Sequence, residues 1–241
     1  METINGVWYM KGCRRSDKGC LHSPDDLLEL VREVGFLPLF SNDIPGFSVE
    51  EHTPAADWWT DDPARDPWAW RQVLAPNEQV AYGKFFDKKA GFVSREWFPA
   101  FANYRRDGYD YEGFYEDGKM KARARKILDT LEPDENAVGL ERTSGQLRKL
   151  AGVEKGFDGA MIDLQMQSFL LISRFRRKRN RRGEEYGWHL PSFMTPETKW
   201  GYDFVNSAEE KPEKSLERMI RQITEAFPGA EESAIRKLIR R

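Results

Sequence analysis

The hydrophobic and polar positions of the chain predict a strand-like opening, ETINGVWYM, followed by a helix. SPDD is typical of a helix start, because Ser23 can cap the first turn and Pro24 suits the first helical position. Gly35 predicts the end of this helix. Between them, apolar residues recur at the 3.6-residue period, at Leu27, Leu30, Val31 and Val34. VAYGKFF and AGFVS then predict a hairpin through DKK, with Ser94 as the cap of another helix.

From Lys119 the pattern changes to a compact series of short elements. KMKARARKILDTLE predicts a basic amphipathic helix, AVGLE a short strand, and TSGQLRKLAG a helix with Thr143 and Gln146 at capping-box spacing. A second helix over 156–167 and the strands FLLISRF and EEYGWHLPSF follow. This order is typical of a winged helix, a helix-turn-helix with an appended hairpin, whose second helix enters the major groove of DNA.

The elements together predict an α+β protein with three parts. We expect an aromatic-rich, acidic α+β region over residues 1–117 and a winged helix-turn-helix module over 118–205. The remaining residues, 206–241, contain two helical patterns separated by Pro228 and Gly229. We predict that these C-terminal helices pack back on the body of the protein.

The distribution of charge changes the picture that the total charge suggests. The formal net charge is −2, which alone argues against a nucleic-acid partner. Residues 119–182, however, contain 16 Lys and Arg against 8 Asp and Glu, whereas the rest of the chain has 22 basic and 32 acidic residues. This asymmetry indicates a basic binding module joined to an acidic region.

The densest basic segment is RFRRKRNRR, from Arg174 to Arg182, with seven cations in nine residues. It lies between two predicted strands, so the hairpin would hold these cations at one place on a folded surface, where they can neutralise phosphates. The alternative is a solvated loop without a partner. We predict contacts with double-stranded DNA, mainly with its backbone, from Lys149, Lys155, Gln165, Arg174, Arg176, Arg177, Lys178, Arg179, Arg181 and Arg182.

Base-specific recognition is expected to be weak. The predicted second helix of the module offers Asp158, Asp163 and Gln165 for base contacts, and it contains no Arg, the most common partner of guanine.

The N-terminal region concentrates aromatic and acidic residues. Residues 58–115 hold 16 of the 31 aromatic residues, which predicts an aromatic core or, alternatively, a pocket that stacks an extruded base. An exposed cluster of Trp58, Trp59, Trp68 and Trp70 would instead favour a non-catalytic protein-interaction or ligand-binding module. Carboxylates in the same stretch are candidate general bases, and we select Glu51, Asp61 and Asp62 as the catalytic candidates.

Cofactor and compartment predictions follow from what the sequence contains. Cys13, Cys20 and His22 give a C-x6-C-x-H spacing that fits no standard zinc motif, so we predict no metal and no cofactor. Two cysteines do not make a disulfide framework. No signal-peptide pattern or bilayer-length apolar run is present, so we expect a soluble cytoplasmic protein without a membrane partner.

Five segments together resemble the AlkZ-like winged-helix family, which includes DNA glycosylases of the AlkZ and YcaQ type. They lie roughly within residues 25–205 and read LLELVREVGFLPLF, VAYGKFFDKKAGFVSREWFPAF, TSGQLRKLAG, FDGAMIDLQMQSFLLISRF and WGYDF. The resemblance implies winged-helix units and, for an active member, a monofunctional glycosylase that excises alkylated or crosslinked bases without a cofactor.

The chain departs from the family's catalytic signature. That signature is Gln, an apolar residue, then Gln or Asp, shortly after the first helix, and the matching positions here are Leu37 and Leu39. A Gln-x-Gln occurs at 165–167, but at another place in the chain, so the resemblance transfers no catalytic role to it. The sequence therefore favours a DNA-binding relative lacking the catalytic Gln motif, and an active glycosylase would need a carboxylate of the acidic loop.

Overall fold

The computed structural model describes residues 2–4, 7–131, 140–180 and 182–241. The chain contains both helices and strands, which confirms the prediction of a protein with mixed α and β structure. The helices are α1 Pro24–Val34, α2 Pro67–Leu74, α3 Phe98–Arg105, α4 Tyr111–Glu116, α5 Ala122–Asp129, α6 Ser144–Ala151, α7 Phe157–Met166, α8 Pro196–Trp200, α9 Tyr202–Val205, α10 Pro212–Ala226 and α11 Glu232–Leu238. The strands are β1 Glu2–Ile4, β2 Val7–Tyr9, β3 Phe36–Pro38, β4 Val80–Phe86, β5 Lys89–Ser94, β6 Arg142–Thr143, β7 Leu171–Arg179 and β8 Glu185–Met194.

The described strands form antiparallel sheets with the orders β1-β2, β3-β5-β4 and β6-β8-β7. From α5 onward the elements follow the predicted order of helix, strand, helix, helix, strand, hairpin and strand. Residues 137–139 of the predicted strand AVGLE lie outside the described part of the chain. The strand that pairs with β8 is instead Arg142–Thr143.

Local sequence signals set several element ends as predicted. The Ser23 hydroxyl accepts a hydrogen bond from the Asp26 amide at 3.1 Å, and Thr143 and Gln146 form the complete capping box of α6. Gly35 ends α1 with φ of 83°, where a side chain would be strained and its Cβ would lie 2.6 Å from the Trp97 ring.

Ser94 is not the N-cap of α3 as predicted: its hydroxyl accepts from the Trp97 amide at 3.4 Å, but in the turn that precedes the helix. Ser94 is the last residue of β5, because its amide donates to the Gly35 carbonyl at 2.8 Å and holds it in the sheet. Helix α3 begins later, at Phe98, with Pro99 in its first turn.

One continuous core runs through all three predicted parts of the chain. It includes Trp70 and Phe85 of the aromatic region, Leu164 of α7 and Met219 of α10, each buried. The aromatic region is thus mainly core, as one of the two sequence interpretations predicted. The C-terminal helices contribute to the same core, for example through Phe227, whose ring lies 4.9 Å from that of Phe47.

Two adjacent buried arginines connect distant segments of this core. The Arg105 guanidinium donates to the carbonyls of Phe85, Met166 and Arg240, and burial lowers its pKa to about 9. Arg106 pairs with Glu197 at 2.6 Å and donates to the Ser168 carbonyl at 2.9 Å. The end of α3 is therefore tied to β4, to the end of α7 and to α8.

Among the described residues, no helix is both long enough and apolar enough to cross a membrane.

Candidate nucleic-acid interface

The β7–β8 hairpin projects from the body of the protein. Every described side chain between positions 176 and 190 is exposed, whereas Ile172 and Phe193 at the base are buried. The register shifts between Arg176 and Lys178, so residues 187–189 of β8 lie opposite a single residue of β7. The hairpin is therefore an arm of two strands that carries a bulge, which increases local twist and redirects side chains.

The base of the arm is anchored on the aromatic region. Phe175 of β7 and Trp68 of α2 lie on either side of the Arg71 guanidinium, whose carbon is 4.3 Å and 3.6 Å from their ring centroids. Burial lowers the pKa of Arg71 and raises the pKa of the adjoining Tyr82 to about 12. This buried contact is expected to fix the direction in which the arm leaves the body.

The cations of the arm fall into two groups. Arg174 and Arg176 both pair with Glu141, at 2.6 Å and 2.8 Å, and the Glu141 side chain is only 9% exposed. The second group has no acidic partner within the described part of the chain and consists of Arg177, Lys178 and Arg182. Arg181 lies outside the described residues, and the strand β7 ends at Arg179. The sequence predicted one uniform basic run, whereas two of its cations are held by an acid.

Lys149 and Lys155, which flank the turn between α6 and α7, are exposed and lack acidic partners among the described residues. They extend the unpaired basic surface beyond the arm.

Helix α7 does not present the base-contacting group that the sequence predicted. Gln165 is buried: its Oε1 accepts from the Lys84 amide at 3.0 Å, and its Nε2 donates to the Met161 carbonyl at 2.9 Å. The prediction that Gln165 contacts DNA is therefore corrected, because β4 packs against this side of the helix. The polar groups that α7 does expose are acidic, and Asp158 and Asp163 pair with cations of neighbouring helices.

The arm also exposes apolar side chains that sequence reasoning missed. Trp188 is 89% exposed, Tyr186 is 51% exposed, and Leu190 is also exposed. Arg176 faces Leu190 and Lys178 faces Tyr186 across the two strands. The alternation of apolar and other residues in YGWHL could have indicated an apolar face on this strand. Alternation does not show, however, whether another element covers that face.

The candidate catalytic carboxylates are not brought together in a cleft. Glu51 accepts from the Gly46 amide at 3.1 Å and the Ser48 hydroxyl at 2.6 Å, so it organises its own loop. Asp61 and Asp62 are exposed, and Asp62 accepts from the Ala64 amide at 3.0 Å. Their arrangement fits turn formation rather than general-base chemistry.

A cavity of about 400 Å³ lies elsewhere, beside α4 and α5. It combines apolar, aromatic and acidic side chains, and the described residues lining it are Asp110, Tyr111, Glu112, Leu128, Leu131, Phe169, Thr195, Glu197 and Tyr202. Two of its carboxylates are already engaged, Asp110 by the Tyr202 hydroxyl at 2.9 Å and Glu197 by Arg106 at 2.6 Å. Sequence reasoning did not identify this cavity, although the Tyr- and Asp-rich stretch YDYEGFYED supplies part of its wall.

The four tryptophans do not form an exposed cluster. Trp58 and Trp70 are buried, Trp68 is half-buried beneath Arg71, and Trp59 is exposed. The main motivation for a tryptophan-based interaction surface is thereby removed.

The Cys13 and Cys20 sulfur atoms lie 2.8 Å apart, and burial together with Cys20 raises the pKa of Cys13 to about 12. No group of His, Cys, Asp or Glu suited to a metal ion occurs among the described residues.

Leu37 and Leu39, which the sequence resemblance matches to the catalytic signature, are fully buried. Leu37 pairs with Phe92 in the β3–β5 ladder. Both side chains serve the core, and neither can hold a water or stabilise a charged sugar.

The sequence matches the profile of the AlkZ-related family over residues 21–240. No curated protein matches the chain by sequence. Among solved structures, it is similar to Streptomyces sahachiroi DNA glycosylase AlkZ, with 11% identity and a TM-score of 0.45 over 90% of this chain. The chain spans 59% of the length of that protein. Since the family match covers nearly the whole sequence, the protein belongs to the AlkZ-related family.

Proposed function

We propose that the protein binds double-stranded DNA through the phosphate backbone, with the β7–β8 arm as the main contact. The observation that carries this proposal is a set of exposed cations on a projecting hairpin, Arg177, Lys178 and Arg182, which have no acidic partner among the described residues. Lys149 and Lys155 extend the same basic surface. Cations without acidic partners are free to neutralise phosphates and release counterions, which is the main source of sequence-independent affinity.

The arm belongs, in this proposal, to a winged helix within residues 118–205. The sheet order β6-β8-β7 and the two helices between β6 and β7 support that assignment. Helix α7, however, buries Gln165 and exposes acidic groups at Asp158 and Asp163. The helix carries no Lys or Arg of its own to neutralise a phosphate, so the wing and not the recognition helix makes the proposed contact.

The family supports a role in the recognition of DNA damage, and the residues support recognition without base excision. Leu37 and Leu39 replace the polar signature and are fully buried. Of the alternative carboxylates, Glu51 and Asp62 accept hydrogen bonds within their own loops, and Asp61 is exposed. We therefore propose a non-excising member of the family.

Titration of the purified protein with an undamaged and an alkylated duplex, across a salt series, tests both parts of this proposal. At physiological salt we expect a dissociation constant of about 10⁻⁴ to 10⁻⁶ M for undamaged duplex. The logarithm of affinity should fall against the logarithm of salt with a slope between about −2.7 and −4.5, for three to five phosphate contacts. Affinity that is absent at low salt, or independent of salt, would contradict DNA binding. Release of an alkylated base above the buffer rate would contradict the non-excising role.

Replacing Glu141 with glutamine should strengthen DNA binding. The change removes the charge that holds Arg174 and Arg176, so two further cations become free to contact phosphates. We expect a salt slope steeper by up to about 2 and an affinity higher by roughly 10- to 100-fold at 50 mM salt. The matched control is Glu232→Gln, which frees Arg236 on α11, away from the arm. Equal effects of the two changes would show that total charge, and not the arm, governs binding.

A further inference from the structure

The side chain of Trp188 is the largest apolar group that the arm exposes. It is 89% exposed, and it lies in β8 between Tyr186 and Leu190, which are also exposed. A tryptophan in this setting gains almost no stabilisation from burial in its own chain, because nearly all of its apolar surface stays in contact with water. An isolated two-stranded arm with such a residue is typical of a surface that meets a partner.

The surroundings of Trp188 indicate the chemistry of that partner. Lys178 faces Tyr186 across the two strands, and Arg177 lies opposite the bulge that contains Trp188. Partial desolvation and the nearby Arg177 lower the pKa of His189. The arm thus alternates flat apolar groups with unpaired cations. Surfaces that hold unpaired nucleobases combine these two features, because rings stack on the bases while cations follow the phosphates.

Resting on the proposed function, we infer that Trp188 stacks on an unpaired nucleobase and that the preferred substrate is DNA with an unstacked base. An intact duplex hides both faces of each base, so it can engage the cations but offers no surface to the indole. A gap or an unpaired position exposes one base face beside continuous phosphates. The bulge assists this contact, because Gly187 with φ of 75° allows a sharp local turn of the strand before Trp188.

The rigid base of the arm makes the contact directional. Phe175 and Arg71 hold the start of the strand in the body of the protein, and the exposed cations and Trp188 follow further out. The arm would therefore place the indole at a set distance from the phosphates that the cations bind.

The test compares two DNAs that differ only at one position, an intact duplex and the same duplex with a single-nucleotide gap. 2-Aminopurine placed opposite the gap, as the unpaired base, reports stacking through fluorescence quenching. We expect the unaltered protein to bind the gapped DNA about 5- to 100-fold more tightly, the range typical for loss of one base–aromatic stack. Trp188→Ala should remove this preference and the quenching while leaving intact-duplex affinity and its salt slope unchanged. Trp188→Phe should retain part of the preference for gapped DNA and part of the quenching.

Trp59→Ala is the matched control, because Trp59 is also exposed but belongs to the N-terminal region. This change should alter binding to neither of the two DNAs. Equal binding of both DNAs by the unaltered protein, or a preference that survives Trp188→Ala, overturns the stacking inference and leaves the proposed DNA binding intact. Failure to bind either DNA at low salt overturns the proposed function itself. Trp188-dependent binding to anionic phosphatidylserine vesicles, without preference for gapped DNA, would assign the arm to a membrane surface and overturn the inference.

Discussion

Replacing Arg177, Lys178 and Arg182 together with glutamine is expected to weaken binding to intact duplex on the order of 10²- to 10³-fold at 50 mM salt. These are the exposed cations of the arm that lack an acidic partner within the described residues. Each phosphate contact contributes about 0.9 to the slope of log affinity against log salt, so the slope should become shallower by roughly 2.7. The loss should be similar for unrelated DNA sequences, because phosphate contacts carry no sequence information.

Fluorescence anisotropy with two unrelated duplexes, between 50 and 200 mM salt, is the suitable measurement. The control variant carries the same change in net charge at Lys214, Arg236 and Lys237, which lie on α10 and α11 and pair with Glu217, Glu232 and Asp43. It should retain nearly full affinity. If both triple variants lose affinity equally, binding depends on total charge and the arm has no special role.

Replacing Arg106 with methionine should destabilise the fold by about 3 kcal/mol. Arg106 is 1% exposed, and its guanidinium stacks 4.3 Å from the centroid of the Phe169 ring. It also binds Glu197 and the Ser168 carbonyl. Methionine fills part of the space but leaves both oxygens without their donor. Removal of one partner from a buried pair costs more than the pair itself contributes, because the remaining group stays desolvated.

Urea unfolding followed by circular dichroism measures this change, with Arg236→Met as the control. The control pair with Glu232 is exposed, and its loss should change the free energy of unfolding by no more than about 0.5 kcal/mol. Arg106→Lys should recover part of the stability, since an ammonium can still reach one acceptor. A loss below about 1 kcal/mol for Arg106→Met would indicate that water replaces the guanidinium.

Local signals in the sequence predicted the elements whose ends depend on neighbouring residues. Ser23 and Gly35 bound α1, and Thr143 with Gln146 opens α6, because capping bonds span only three residues. The hairpin between β4 and β5 and the arm between β7 and β8 followed from short apolar runs around polar turns. Ser94 was predicted to cap α3, but its amide bonds to Gly35, far away in the sequence, and holds it in β5, so its hydroxyl caps only the turn before the helix.

The chain alone thus determined the order of its elements and the position of its basic run, because helical period, turn residues and charge are local properties. Packing decided which cations have no acidic partner among the described residues. Glu141 neutralises Arg174 and Arg176, although it lies 33 and 35 residues away from them in the sequence. Packing also buried Gln165 through a contact with Lys84, 81 residues distant. It left Trp188 uncovered on the arm. Burial and ion pairing depend on which elements pack together, and the pattern of residues along the sequence carries little information about these long-range contacts.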